Sequence, residues 1–355
     1  MKILHVITSL RTGGAEKLMV DLLPRLKAKG LDVDLLLLDG VETQFRRDVE
    51  AAGIKVFDLG KGGSVYSLWR MIRLISFMRH YDAVHSHNTA PQLFSAIGSY
   101  FTKPMLLTTE HGGSNRRRTW KWYRNIDRWM YGRYRKVICI SEKAEDNLRT
   151  HIGASRAEII TINNGVDIKK YASASASPDL EAIAPGSKKI IMVAGFRWEK
   201  DQDTLIRAMR YLPTDFHLFL VGDGVRRKEL EDLTYKENIY KRVHFMGLRS
   251  DVPQLLHAAD YVVMSSHFEG LSLSSVEGMS VGKPFLASDV DGLREVVSGA
   301  GVLFSHQDPK SFANTIHRLE ASPDYRESIA MNCRNRAEKF DISAMSEKYY
   351  KLYES

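Results

Sequence analysis

Two glutamates, Glu269 and Glu277, stand eight residues apart in the stretch Ser266–Met279. The apolar run Tyr261-Val-Val-Met264 before them reads as a buried strand. Gly270, Ser272, Ser274 and Ser275 read as a turn opening a helix, with small N-capping residues at hand. Such a junction presents free backbone N–H groups, and the helix dipole favours an anion there by about 0.3–1 kcal/mol. With a helix starting near Ser272, Glu277 lies about one and a half turns in, while Glu269 stays on the loop. One carboxylate then stands before the amide cradle and one beyond it. That suits a ligand with hydroxyls at both ends and phosphate between, as in a nucleotide sugar.

Other residues bear on the same chemistry. Arg197 and Lys200 follow a strand and Gly195, and a guanidinium fork with an ammonium point charge suits a diphosphate. Surface solvation is the commoner fate of such residues; the setting after a strand favours function. Gly222-Asp223-Gly224 reads equally as a turn beside that loop or a helix entry. Gly13 and Gly14 between a strand and a helix allow close backbone approach to phosphate or sugar, although a plain tight turn explains them as well. They do not form G-x-G-x-x-G, so no dinucleotide cofactor is expected. His111, between a strand and Gly112-Gly113, is placed to hydrogen-bond a hydroxyl or phosphate. His85 and His87 share one strand face, and a structural or wall role is expected of them rather than metal binding. Asp289-Val290-Asp291 has a pattern found in metal-dependent sugar transferases, but Asp32-Val33-Asp34 repeats it inside an apolar strand. Asp289 and Asp291 are therefore read as turn residues, and no metal is expected.

Alternating strand and helix patterns position these groups. They run from strand 2–7 to strand 159–162 and restart at 189, which implies two doubly wound parallel sheets. Residues 168–188, with Ala-Ser repeats and Ala184-Pro-Gly, carry little apolar periodicity and are read as the linker. The expected division is 1–167, linker 168–188, then 189–340. At 355 residues two domains are reasonable, and 44% hydrophobic with 26% charged residues is a globular composition. Two distant cysteines suggest a reducing compartment. The net charge of +8 permits an anionic partner. Much of the excess lies in 116–136, with nine Lys/Arg and one Asp. Arg116, Arg117, Arg118, Trp120, Lys121 and Arg124 suit an anionic membrane or acceptor surface, while Trp122, Ile126 and Trp129 are expected to be at least partly buried.

Together these residues resemble the family 4 glycosyltransferases, retaining enzymes of the GT-B fold with two Rossmann-like domains and an interdomain cleft. The likeness is carried by Gly13-Gly14-Ala15-Glu16, Thr109-Glu-His111-Gly112, Asn164-Gly165-Val166-Asp167, Arg197 with Lys200, Gly222-Asp223-Gly224 and the E-x7-E of Glu269 and Glu277. The resemblance implies that Glu277 grips ribose hydroxyls and Glu269 the transferred sugar. Amides of Gly270, Leu271 and Ser272 would face sugar and diphosphate, with Gly14 approaching it. Arg197 and Lys200 would neutralise the leaving diphosphate, and His111 would touch the sugar. One departure is Phe196, where the family often has Arg; Lys200 is the safer assignment. Residues 341–355 are expected to pack back on the first domain. The expected activity is metal-independent transfer of a hexose from a UDP- or GDP-linked sugar to a glycan or lipid-linked acceptor, at a cytoplasmic membrane face, with no cofactor and no nucleic acid. A nucleotide-sugar epimerase on the same fold and a non-catalytic nucleic-acid binder are the rival readings.

Overall fold

The computed structural model describes every residue except 12, 112–122, 154, 271 and 355. The chain forms two compact units, one of Met1–Gly165 with Ile342–Ser355 and one of Val166–Asp341.

The first unit is built on β1 (Lys2–Ile7), β2 (Asp32–Leu37), β3 (Lys55–Asp58), β4 (Ala83–His87), β5 (Met105–Glu110), β6 (Lys136–Cys139) and β7 (Glu158–Thr161). All neighbours are parallel, in the order β3-β2-β1-β4-β5-β6-β7. Alternate residues feed two cores. Ile3, Ile7, Leu35 and Leu37 enter one, and Leu4, Val6, Leu36 and Val84 enter the other. The helix Gly14–Ala28 covers one face through Leu18, Leu22 and Leu26. Ser67 and Ser141 cap the following helices by accepting from the N–H groups of Arg70 and Ala144, contacts that typically contribute about 1 kcal/mol each.

The second unit has β8 (Lys188–Val193), β9 (Phe216–Val221), β10 (Val243–Gly247), β11 (Tyr261–Met264), β12 (Phe285–Ser288) and β13 (Val302–Phe304), in the parallel order β10-β9-β8-β11-β12-β13. In each sheet the chain winds outward one way, then returns beside its first strand. The carboxyl ends of β1 and β4, and of β8 and β11, therefore flank a switch crevice, where open α/β sheets take ligands.

Residues 168–188 are not a linker. The helices Ile168–Ala172 and Asp179–Ile183 lie there, and Ile168, Tyr171, Leu180 and Ala184 are buried in the second core. The chain crosses between units at Gly165–Val166 and returns at Asp341–Ile342. The last helix, Ile342–Glu354, belongs to the first unit and buries Ile342, Met345, Tyr349, Leu352 and Tyr353 in its core.

The basic segment begins its described helix at Tyr123 and runs to Tyr131. Arg116, Arg117, Arg118, Trp120, Lys121 and Trp122 lie outside the described residues. Arg124 is exposed. The helix buries Asp127, Met130 and Tyr131, and Ile126 is half-buried. Trp129, expected at least partly buried, is 37% exposed and stacks on Tyr100 with ring centroids 6.5 Å apart.

Candidate active site

In the second unit, four loops meet at the carboxyl edge of the sheet. Phe196, after β8, is buried in the core against Phe245, and it fixes the loop so that Arg197 is left exposed. The Phe196 N–H donates to the Asp223 carbonyl at 2.9 Å, tying the β8 loop to the β9 loop. Gly222 has φ +139, and a Cβ there would stand 2.1 Å from the Ala194 carbonyl oxygen, so only glycine lets the loops close. Ser265, after β11, donates to the carbonyls of Lys200 and Asp201 at 3.1 and 2.8 Å. The His267 N–H donates to the Glu199 carbonyl at 2.8 Å.

This stitching brings Lys200 and Glu269 together. Lys200 Nζ lies 2.5 Å from Glu269 Oε1, and Ser266 Oγ donates to the same oxygen at 2.6 Å. Both contacts fall on Oε1, so Oε2 has no hydrogen-bond partner among the described residues. The helix Leu273–Ser280 follows, capped by Ser272, whose Oγ accepts from the Ser275 N–H and hydroxyl. Glu277 lies on that helix, half-buried. Gly270 has no neighbour within 4 Å of an added Cβ, so packing does not require glycine there. Leu271 lies outside the described residues. Gly292, after β12, has φ +82, and its Cβ would meet the carbonyl oxygens of Glu269 and Gly270 at 2.3 Å.

In the first unit, Gly13 precedes the helix that starts at Gly14, and a Cβ added at Gly14 would likewise meet nothing within 4 Å. His111 follows β5 and is half-buried. Its Nε2 lies 2.9 Å from His87 Nδ1, whereas its Nδ1, shielded from solvent, has no hydrogen-bond partner among the described residues. Burial pushes the His111 pKa down to about 4. His85 and His87 are fully buried, and so is His5, which pairs with His85 in the sheet register. A hollow of about 350 Å³ lined by Leu10, Arg11, Val41, Thr43, Gln44 and Phe45 opens beside the ends of β1 and β2.

Residues 176–336 match the family described as Glycosyl transferases group 1, and residues 12–170 match Glycosyltransferase Family 4. The chain belongs to the family 4 glycosyltransferases. It is 27% identical over 311 residues to the UDP-Gal:alpha-D-GlcNAc-diphosphoundecaprenol alpha-1,3-galactosyltransferase of Escherichia coli, covering 82% of this chain and 78% of that protein. It is 24% identical over 228 residues to the N,N'-diacetylbacillosaminyl-diphospho-undecaprenol alpha-1,3-N-acetylgalactosaminyltransferase of Campylobacter jejuni, covering 62% and 60%. Anabaena HepE, solved in complex with UDP-glucose, shares the GT-B fold with TM-score 0.86 and 23% identity, over 100% of this chain and 99% of that one.

Sequence reasoning about this glycosyltransferase missed Ser266, although its position three residues before Glu269 puts its hydroxyl within reach of that carboxylate. It also missed Asp201 and His306 around His267, with His267 Nδ1 3.7 Å from Asp201 Oδ2 and 2.9 Å from His306 Nε2. The carboxylates Asp289 and Asp291 both face Arg294, at 2.5 and 3.4 Å. Among the described residues no helix is long and apolar enough to cross a membrane.

Proposed function

We propose that this glycosyltransferase moves a hexose, with retention, from a nucleoside diphosphate sugar, UDP- or GDP-linked, to a lipid-linked or glycan acceptor in surface polysaccharide synthesis. The observation that carries the reading is the Lys200–Glu269 pair at the switch crevice of the second sheet, with Glu277 on the adjoining helix. The names of the two bacterial relatives, both acting on diphospho-undecaprenol substrates, support the acceptor class.

Breaking the sugar–phosphate bond leaves an oxocarbenium-like sugar and a diphosphate gaining negative charge. Positive groups fixed at that diphosphate stabilise the transition state more than the ground state. Lys200 is held by Glu269 before the ligand arrives, and Arg197 stands exposed in the same loop, so both cations are available at the crevice. Oε2 of Glu269 is open to accept from a sugar hydroxyl. Glu277 is assigned to the ribose, and Gly13, Gly14, Gly195, Gly222, Gly270, Leu271 and Ser272 to the backbone around sugar and diphosphate. His111 is assigned to the sugar. With two cations at the diphosphate and Asp289 and Asp291 engaged by Arg294, the reaction is assigned as metal-independent. The basic residues 116–124 are assigned to an anionic membrane or acceptor surface at the cytoplasmic face, on their sequence alone.

Melting curves with UDP-galactose, UDP-glucose and GDP-mannose identify the donor, since a ligand bound by the native state alone raises the melting temperature. With that donor, Glu269→Ala is expected to abolish transfer while circular dichroism stays native. Wild-type turnover in this variant rejects the assignment. Excess EDTA is expected to leave the initial rate unchanged, whereas a loss restored by Mn²⁺ returns Asp289 and Asp291 to metal binding.

A further inference from the structure

The first unit contains a continuous line of seven hydrogen-bonded side chains. Tyr349 Oη lies 3.2 Å from Thr109 Oγ1, which lies 2.8 Å from His85 Nε2. His85 Nδ1 lies 2.5 Å from Tyr353 Oη, which lies 3.1 Å from His5 Nε2. His5 Nδ1 lies 3.0 Å from His87 Nε2, and His87 Nδ1 lies 2.9 Å from His111 Nε2. All members except His111 are buried. The two tyrosines sit one turn apart on the last helix, and the other members lie in β1, β4 and β5 or directly after β5.

The line is not a metal site. His5, His85 and His87 bring ring nitrogens within 4.8 Å of one another. Their rings are nearly parallel, with interplanar angles of 10° to 22°, and His5 Nδ1 and His87 Nε2 face each other in a hydrogen bond rather than a common point. Each of these nitrogens is already hydrogen-bonded. Burial holds all four imidazoles neutral near pH 7.

A neutral imidazole has one N–H and one lone pair, so the line must run in one direction throughout. If it ran inward from His111, every ring would carry its proton on Nε2, and His85 would donate to Thr109. The Thr109 and Tyr349 hydroxyls would then hold two protons with one bond between them, stranding a proton in the buried core. If it runs outward, Tyr349 donates to Thr109 and Thr109 to His85 Nε2. His85 Nδ1–H then donates to Tyr353, Tyr353 to His5 Nε2, His5 Nδ1–H to His87, and His87 Nδ1–H to His111 Nε2. The leftover proton is now on Nδ1 of His111, the one ring nitrogen of the line without a partner among the described residues. Only there can a ligand supply the missing acceptor.

We propose that this line fixes His111 as the Nδ1–H tautomer and makes it a hydrogen-bond donor to an oxygen of the bound nucleotide sugar. Tyr349, Thr109, His85, Tyr353, His5 and His87 are positioning residues that act through His111. The ligand contact rests on the nucleotide-sugar reading; the tautomer does not.

The test is long-range ¹H–¹⁵N correlation of the histidine rings in the full chain at pH 7.5, with His111→Gln assigning the resonance. His111 is expected to be protonated on Nδ1, the reverse of the tautomer that free imidazole side chains favour. Protonation on Nε2 overturns the proposal. His87→Phe removes the ring that donates to His111 Nε2, so His111 is expected to return to the Nε2–H tautomer that free side chains favour and kcat/KM to fall about tenfold. An unchanged Nδ1–H tautomer in that variant overturns the coupling, and if the variant does not fold the wild-type measurement decides alone. The donor among UDP-galactose, UDP-glucose and GDP-mannose that raises the melting temperature is expected to move the His111 Nδ1 resonance. Binding without such movement overturns the ligand contact. Binding of none of the three counts against the nucleotide-sugar reading, and the tautomer measurement still decides the line.

Discussion

Lys200 and Glu269 are the residues on which the chemistry turns, and their pairing has a testable consequence. Their side chains are 26% and 12% exposed, so the pair is only lightly screened by solvent. Lys200→Ala removes the cation nearest to the open carboxylate and is expected to lower kcat/KM by about 10²–10³-fold, the usual cost of losing a preorganised electrostatic group. Lys200→Arg keeps the charge and is expected to lose less; equal losses in the two variants would argue for a packing role instead. A second residue-scale test concerns Gly292. Its φ of +82 is strained for any side chain, and an added Cβ meets two backbone oxygens of the Glu269 loop at 2.3 Å. Gly292→Ala is expected to destabilise the chain by about 1–3 kcal/mol. A denaturation midpoint unchanged from wild type would show that the loop yields without cost.

At the scale of elements, strands were the legible part. β1, β2, β8, β9 and β11 announce themselves as apolar runs, and the turn after each carries glycine or serine. The helix at Leu273–Ser280 was legible because Ser272 caps it and Glu277 keeps its place about one and a half turns later. β13 escaped notice because it has three residues, two of them only half-buried. The stretch 168–188 escaped because its anchors, Ile168, Tyr171, Leu180 and Ala184, are spread over short helices, and the Ala-Ser run between them hides the pattern. Within the site, residue types at strand ends could be found one by one. Which atoms meet could not, since the Lys200–Glu269 contact joins residues 69 apart. The histidine line was hidden for the same reason: His5 and Tyr353 are 348 apart, and two tyrosines on an apolar helix face look like ordinary core.

At the scale of the whole molecule, the two units have separate cores, so one melting temperature is not expected to describe both. Acid should act on them unequally. Burial lowers the pKa of His5 to about 3 and of His111 to about 4, and lowers those of His85 and His87 as well. Below the unfolded value of 6.5, the unfolded chain binds protons that these native rings refuse. Stability from the four rings is therefore complete above pH 6.5 and is lost as the pH falls toward the folded values. Rings with folded values well below 5.5, as for His5 and His111, each contribute about 1.4 kcal/mol per pH unit in that window, so these two are expected to cost the first unit about 3 kcal/mol between pH 7.5 and 5.5. The second unit has His217 and His244 shifted the same way by burial, with His217 only partly shielded, and loses less. Calorimetry of the full chain is expected to show two transitions that separate on acidification. UDP at 100 times its Kd is expected to stabilise the less acid-sensitive transition by about 2.7 kcal/mol, because the Lys200–Glu269 crevice lies in the second unit. If UDP raised only the transition that acid lowers, the diphosphate site would belong on the first sheet alone and the assignment of Lys200 would fail.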